Sequence, residues 1–151
     1  MRTWFGAVVL LGIAAGIAAG IGTFTFTYAR GYSYLLNDPA ACANCHVMQA
    51  HFDAWTRSSH HAVATCNDCH LPEGVVGAYA TKTANGWAHG VAFTTGEFHW
   101  PLEAKPRSQR VAESKCRTCH QQIVHQIDRV AADERPMRCA RCHMAVGHPT
   151  R

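Results

Sequence analysis

All eight cysteines fall in four copies of one motif, Cys-x-x-Cys-His, at 42–46, 66–70, 116–120 and 139–143. A Cys-x-x-Cys pair alone fits zinc or a redox dithiol. A histidine directly after the second cysteine, four times in four, is the pattern of covalent haem attachment. The thiols of Cys42, Cys45, Cys66, Cys69, Cys116, Cys119, Cys139 and Cys142 would add to haem vinyl groups. His46, His70, His120 and His143 would each stand beside an iron as an axial ligand. A pair of zinc ribbons is the competing reading, and it gives no reason for a histidine at that fixed place. In a chain of 151 residues, four haem c groups would supply most of the apolar interior themselves. The expected fold is therefore mainly α and irregular: a small, loop-rich tetrahaem c-type cytochrome domain with few helices and little sheet.

The formal charge of +4 is a weak guide, because haem propionates take up arginine and lysine. No basic stripe with interleaved aromatics is present, so nucleic acid is not an expected partner. Covalent haem attachment belongs to an oxidising compartment, which places the haem domain outside the cytoplasm.

The stretch 4–29 carries no charged residue, and 5–21 is almost all Ala, Gly, Val, Leu and Ile. About 20 such residues span a bilayer as a helix. Arg2 and Arg30 flank the stretch, and Trp4, Tyr28, Tyr32 and Tyr34 sit near the two expected interfaces. An uncleaved single-pass anchor over 1–30 is expected, with the haem domain at 31–151 facing the periplasm from the inner membrane. A cleaved signal peptide is the rival reading, but the apolar run exceeds the usual signal core. Gly12, Gly16 and Gly20 share one helix face, a pattern that permits self-association of membrane helices or packs nothing in particular.

The haem domain reads as a duplicated two-haem unit. Nineteen residues separate His46 from Cys66, and eighteen separate His120 from Cys139. His51 follows His46 at the offset at which His125 follows His120. Helices are expected near 48–58, 74–93 and 121–132, with Pro39, Pro72, Pro101, Pro106, Pro136 and Pro149 in the loops between.

Four haems have eight axial positions. Beyond the motif histidines the chain offers His51, His60, His61, His89, His99, His125 and His148. His60 and His61 precede motif two and His148 follows motif four. Motif one differs from the others by continuing as Cys45-His46-Val47-Met48. On spacing alone, Met48 either reaches the iron in place of His46 or packs on the porphyrin.

These residues together resemble the NapC/NirT family of membrane-anchored multihaem quinol dehydrogenases, and within it the small membrane subunits of cytochrome c nitrite reductases. The resemblance runs nearly full length. It is carried by the anchor, the Cys-x-x-Cys-His-x-Met of motif one, and Ser59-His60-His61 leading to Thr65-Cys66-Asn67-Asp68-Cys69-His70. Lys82, Phe93-Thr94-Thr95-Gly96 and the tail Val146-Gly147-His148 complete it. The resemblance implies that Met48 ligates haem 1, leaving its other face weakly occupied for menaquinol, with Lys82 beside it. It implies that His70 with His148 holds haem 2 and His143 with His61 holds haem 4. His120 would hold haem 3, whose second ligand would come from a partner subunit, while His125, at the repeat-related place after motif three, departs from the family and offers an internal ligand in its stead.

In the family's nitrite reductase subunits an Asp lies a little after the lysine. Here no Asp occurs between Leu71 and Ile127, and the region offers His89 instead. His89 would act as proton acceptor or would ligate the iron outright. Menaquinol oxidation is expected near Lys82, Asn85 and His89. Electrons would then pass through the four haems to a periplasmic multihaem nitrite reductase that forms ammonium. The chain itself would be a quinol dehydrogenase and not the nitrite-reducing subunit. The alternatives are a family member feeding a nitrate, N-oxide or S-oxide reductase, and a purely electron-relaying tetrahaem cytochrome.

Overall fold

A computed structural model of the chain describes residues 2–130 and 137–149. Every regular element among them is helical. Contacts divide the chain into two units, Met1–Ser33 and Tyr34–Arg151.

The first unit is the helix α1, Arg2–Tyr28. Its 27 residues measure about 40 Å at the α-helical rise, longer than the hydrocarbon core of a bilayer. The window Thr3–Tyr28 has a mean hydropathy of 2.2 and buries nothing within the protein, so its apolar side chains face outward all round. The line of Gly12, Gly16 and Gly20 is likewise open, with nothing within 4 Å of a side chain added at any of them. A 3₁₀ turn, Gly31–Leu35, leads out of the helix.

The second unit carries the motifs on short helices. Motif one is split between α2, Pro39–Cys42, and a 3₁₀ turn, His46–Met48. The Asp38 side chain accepts a hydrogen bond from the Ala40 N–H and starts α2. Then come α3, Gln49–Thr56, and α4, Cys66–His70, which contains motif two. The long helix α5, Val75–Thr95, ends at Gly96, whose φ of 75° is the left-handed cap that glycine adopts without strain. Next, α6, Pro106–Cys119, ends in motif three, and α7, Gln121–Val130, follows directly. Motif four forms α8, Cys139–Cys142.

The expected helices appear as α3, α5 and α7, though 131–132 lie outside the described residues. Two prolines depart from expectation. Pro39 and Pro106 open α2 and α6 and do not sit in loops. The first helical turn lacks partners for its N–H groups in any case, so a residue with no N–H and a preset φ fits there. Pro136 lies outside the described residues.

Packing is strongest where α4 lies on α6, and α6 also holds α7 and α8. Among the described hydrophobic residues only Leu71 is buried. The described residues have almost no apolar interior of their own, which is the packing of a chain that wraps large apolar groups.

Candidate functional site

The four motifs adjoin one another in chain order. The Cys42 thiol of motif one hydrogen-bonds the Cys66 thiol of motif two. Cys69, at the far end of α4, lies within electrostatic reach of Cys116 and Cys119 on α6. Cys116 in turn interacts with Cys139 of motif four. Burial raises the Cys69 and Cys116 thiols above their ordinary pKa. Cys42 is instead lowered to about 7, first by the Cys66 hydrogen bond, and Lys82 adds a pull in the same direction. Among the described residues no three His, Cys, Asp or Glu side chains converge as a zinc ribbon requires.

The residue types inside motif two have local tasks. The Asp68 carboxylate accepts from the N–H of Thr65 at 2.7 Å and from its hydroxyl at 2.6 Å, closing the N-terminus of α4. These two bonds hold the carboxyl below the usual carboxylate range. Asp68→Ala is expected to cost about 1 kcal/mol in a thermal melt of the intact protein. Asn67 donates to the Asn37 side-chain oxygen at 3.0 Å and reaches back toward the Leu36 carbonyl.

One face of α5 meets the segment 34–37, just before motif one. Lys82, Asn85, Gly86 and His89 recur at helical spacing and so share that face. Lys82 is only 5% exposed, which demands partners for its charge. Its ammonium donates to the Leu36 carbonyl and the Asn37 Oδ1, both at 2.8 Å, and more weakly to the Leu35 carbonyl at 3.4 Å. The Tyr79 ring lies 5.3 Å away. One turn on, a Cβ at Gly86 would touch the Tyr34 ring at 3.4 Å, so the glycine lets that ring lie on the helix. Another turn on, the Tyr34 hydroxyl is 2.7 Å from the His89 Nδ1. Tyr34 is pushed up to about 12, by burial first and then by Cys45 and Cys42, which places it beside motif one. His89 is lowered from the ordinary imidazole value by desolvation and then by the charge of Lys105. The face of α5 thus carries a buried cation and a neutral imidazole next to the first attachment motif.

In motif one, Met48 is half-buried while His46 is exposed. The remaining histidines form two groups. The His70 and His148 rings are parallel within 7° with centroids 5.9 Å apart, and His51 meets His148 edge-on at 4.8 Å. Two metal–nitrogen bonds of about 2 Å and two ring radii of about 1.1 Å add to about 6 Å, so this spacing suits a metal held between the rings. Desolvation, then the charges of His148 and His51, lowers His70 and favours the neutral form that binds metal. The His120 ring faces His60, at 6.1 Å and 60°. His61 is placed against Trp55, edge-on at 4.6 Å, and His125 is exposed on α7. Two buried hydroxyls, Ser58 and Thr81, have no partner among the described residues and could donate to a carboxylate such as a haem propionate. With the thiol row, the paired imidazoles and the thin apolar interior, the residues present fit c-type haem.

The clamp formed by Tyr34, Asn37 and Asn67, and the pairing of His60 with His120, were not visible in the sequence. A groove of about 530 Å³ lined by Glu113, Arg117, Met137 and Arg138 lies by motif four, away from the α5 face. Arg117, which lines it, donates to Asp128 at 2.8 Å and to the Met137 carbonyl at 2.7 Å.

Comparison with known proteins agrees with this arrangement. The chain is 35% identical over 148 residues to the cytochrome c-type protein NrfH of Wolinella succinogenes, covering 90% of this chain and 82% of that one. It is 28% identical over 141 residues to the cytochrome c nitrite reductase subunit NrfH of Nitratidesulfovibrio vulgaris, covering 93% and 82%. The fold matches a chain of a cytochrome c nitrite reductase NrfHA complex bound to the HQNO inhibitor, with a TM-score of 0.61, 24% identity and coverage of 94% and 90%. The N-terminal region model of the NapC/NirT cytochrome c family matches residues 2–151, and the chain, with its four attachment motifs behind an apolar helix, belongs to that family.

Proposed function

We propose that the chain is a membrane-anchored tetrahaem cytochrome c that oxidises menaquinol beside motif one and passes the electrons to a periplasmic multihaem nitrite reductase. The observation that carries this reading is the meeting of the Lys82–His89 face of α5 with motif one, which gathers a cation and an imidazole beside the first haem. The relatives, two NrfH proteins and an NrfHA complex holding an inhibitor, support the choice of reductase.

The α1 helix anchors the chain in the inner membrane, where menaquinol is dissolved. Haem, when bound, supplies one-electron chemistry between ferric and ferrous iron. The residues do the rest. Met48 would hold haem 1 through its thioether sulfur. Asn85 and Lys82 orient the quinol oxygens. Lys82 is already engaged by three acceptors, so the proton it directs at the Leu35 carbonyl, at 3.4 Å, is the one it can turn to a substrate at least cost. A quinol sheds two electrons and two protons; one proton leaves to water directly, and His89 receives the other and passes it to solvent. For that, its Nδ1 carries the resident hydrogen and donates it to the Tyr34 oxygen at 2.7 Å, leaving the Nε2 lone pair free. The depressed pKa keeps this imidazole neutral at pH 7.

The test is reduction of the purified protein by a menaquinol analogue, followed by mixing with candidate reductases. Fast reoxidation by a pentahaem nitrite reductase, and slow reoxidation by nitrate, N-oxide or S-oxide reductases, is expected. The reverse order would reassign the partner. Met48→Ala is expected to change the spectrum and potential of haem 1 alone, while His46→Ala leaves both unaltered. If the two variants exchange these effects, His46 is the ligand.

A further inference from the structure

We propose that Glu113 of α6 positions motif four and, through its carboxylate charge, lowers the potential of the haem attached there. The effect rests on haem attachment at motif four and is independent of the quinol and of the reductase.

Motifs two and four differ at one telling place. In motif two the third residue, Asp68, accepts from the Thr65 N–H and closes the start of α4. In motif four that place holds Arg141, and no cap side chain closes α8. The N–H groups at the start of α8 therefore need an acceptor from elsewhere. The helix α6 supplies it. Gln109, Glu113 and Arg117 stand four residues apart and share one face of α6. They engage three successive residues. The Met137 carbonyl accepts from the Arg117 guanidinium, Arg138 donates to the Gln109 Oε1, and the Cys139 N–H donates to the Glu113 Oε1, each at 2.7 Å. The Ala140 N–H also donates to Glu113. The Cys139 thiol is consumed when a thioether forms, so these backbone bonds are the ones that persist in the haem-loaded protein.

The charge on Glu113 is only partly offset. The Arg117 Nε lies 3.8 Å from it, and the Arg117 Nη1 is taken by Asp128 at 2.8 Å. The Glu113 side chain is 19% exposed, so salt and water screen it weakly. Burial alone would raise its carboxyl, but the bonds from Cys139 and Ala140, and then the Arg117 charge, outweigh burial and hold it below the usual range. Ferric haem carries one more positive charge than ferrous haem. A fixed anion beside it favours the ferric form and lowers the potential. In the proposed route motif four comes last, so Glu113 sets the reducing power of the electrons that leave.

The experiment uses the full chain, haem-loaded and purified without any reductase. Intact mass counts the haems, and redox titration gives their potentials. His143→Met marks haem 4 in the titration, since a thioether ligand raises the potential. Glu113→Gln keeps an acceptor for the Cys139 N–H and removes the charge. It is expected to keep four haems and the wild-type melting temperature. The ferrous-to-ferric ratio of haem 4 is expected to rise about tenfold at fixed applied potential, a shift of about 59 mV for one electron. Arg117→Gln removes the offsetting cation and is expected to lower the same potential. Glu113→Ala is expected to repeat the upward shift and also to melt lower, because the cap is lost as well. An unchanged haem 4 potential in Glu113→Gln with four haems present would overturn the proposal and leave the carboxylate a cap alone. Shifts of the same sign in Glu113→Gln and Arg117→Gln would overturn it too, as the mark of a general disturbance. Should Glu113→Gln lose haem, Arg117→Gln decides: a haem 4 potential that does not fall would overturn the proposal. A wild-type mass short of four haems would remove the attachment reading and this proposal with it, and the mass tells the two failures apart.

Discussion

Replacing Lys82 with leucine is expected to abolish menaquinol oxidation, by more than about 100-fold, while all four haems stay attached. The same change is expected to destabilise the protein by about 1 kcal/mol, because it removes the donor from three part-buried acceptors. Those acceptors are the Leu35 and Leu36 carbonyls and the Asn37 Oδ1. Asn67 can recover part of the loss, since it already reaches Asn37 and Leu36. The two consequences are separable. Asn37→Ala loosens the clamp and keeps the ammonium. If Lys82 acts on the quinol, Asn37→Ala lowers the melting temperature and retains most of the turnover. If Lys82 only pins the segment 34–37, both variants lose turnover together. Normal quinol oxidation by Lys82→Leu would remove the lysine from the site altogether. Lys82→Arg is expected to fall between, because a planar fork cannot reproduce the three directions of a compact ammonium.

His89→Leu is expected to slow quinol oxidation about 10²–10⁴-fold, the usual contribution of a placed general base. Stopped-flow reduction of the haems by a quinol analogue measures this step before any reductase is involved. Tyr34→Phe is expected to slow it by about tenfold, since it removes only the partner that fixes the imidazole tautomer. Neither change alters haem content. The resonance spectrum separates base from ligand. A base leaves the ligation of haem 1 as it was, whereas loss of an iron ligand turns haem 1 from low to high spin in His89→Leu. An unchanged reduction rate in His89→Leu would leave no role for the imidazole in proton uptake.

What could be read directly from the residues is whatever sits close in sequence. The four motifs, the apolar stretch and the long helix after motif two are local patterns, and each has its counterpart in the structure. The face of α5 was half legible: Lys82 and His89 stood out by type, but their partners lie 45 to 55 residues earlier, on a segment with no motif of its own. Tyr34 looked like an interfacial aromatic, and Asn37 carried no signal at all. Their roles arise from long-range packing, which leaves no periodic trace in a single chain. The same applies to His60, whose neighbour His61 is chemically identical, so that only the turn decides which ring faces His120. The helix α6 was missed for a different reason. Pro106 reads as a loop residue by composition, whereas its meaning depends on whether it falls inside a helix or at its first turn.

The row of adjoining thiols, from Cys42 and Cys66 through Cys69 and Cys116 to Cys139, has a consequence of its own. In the proposed electron route, haems attached at motifs that adjoin in chain order form a series circuit. Throughput in such a circuit is set by its slowest junction, so improving one station leaves the output unchanged unless that station was the bottleneck. Loss of an interior station disconnects both ends, even where every other station is intact. Variants in motifs two and three should therefore behave as switches, whereas variants in motifs one and four change which traffic enters or leaves.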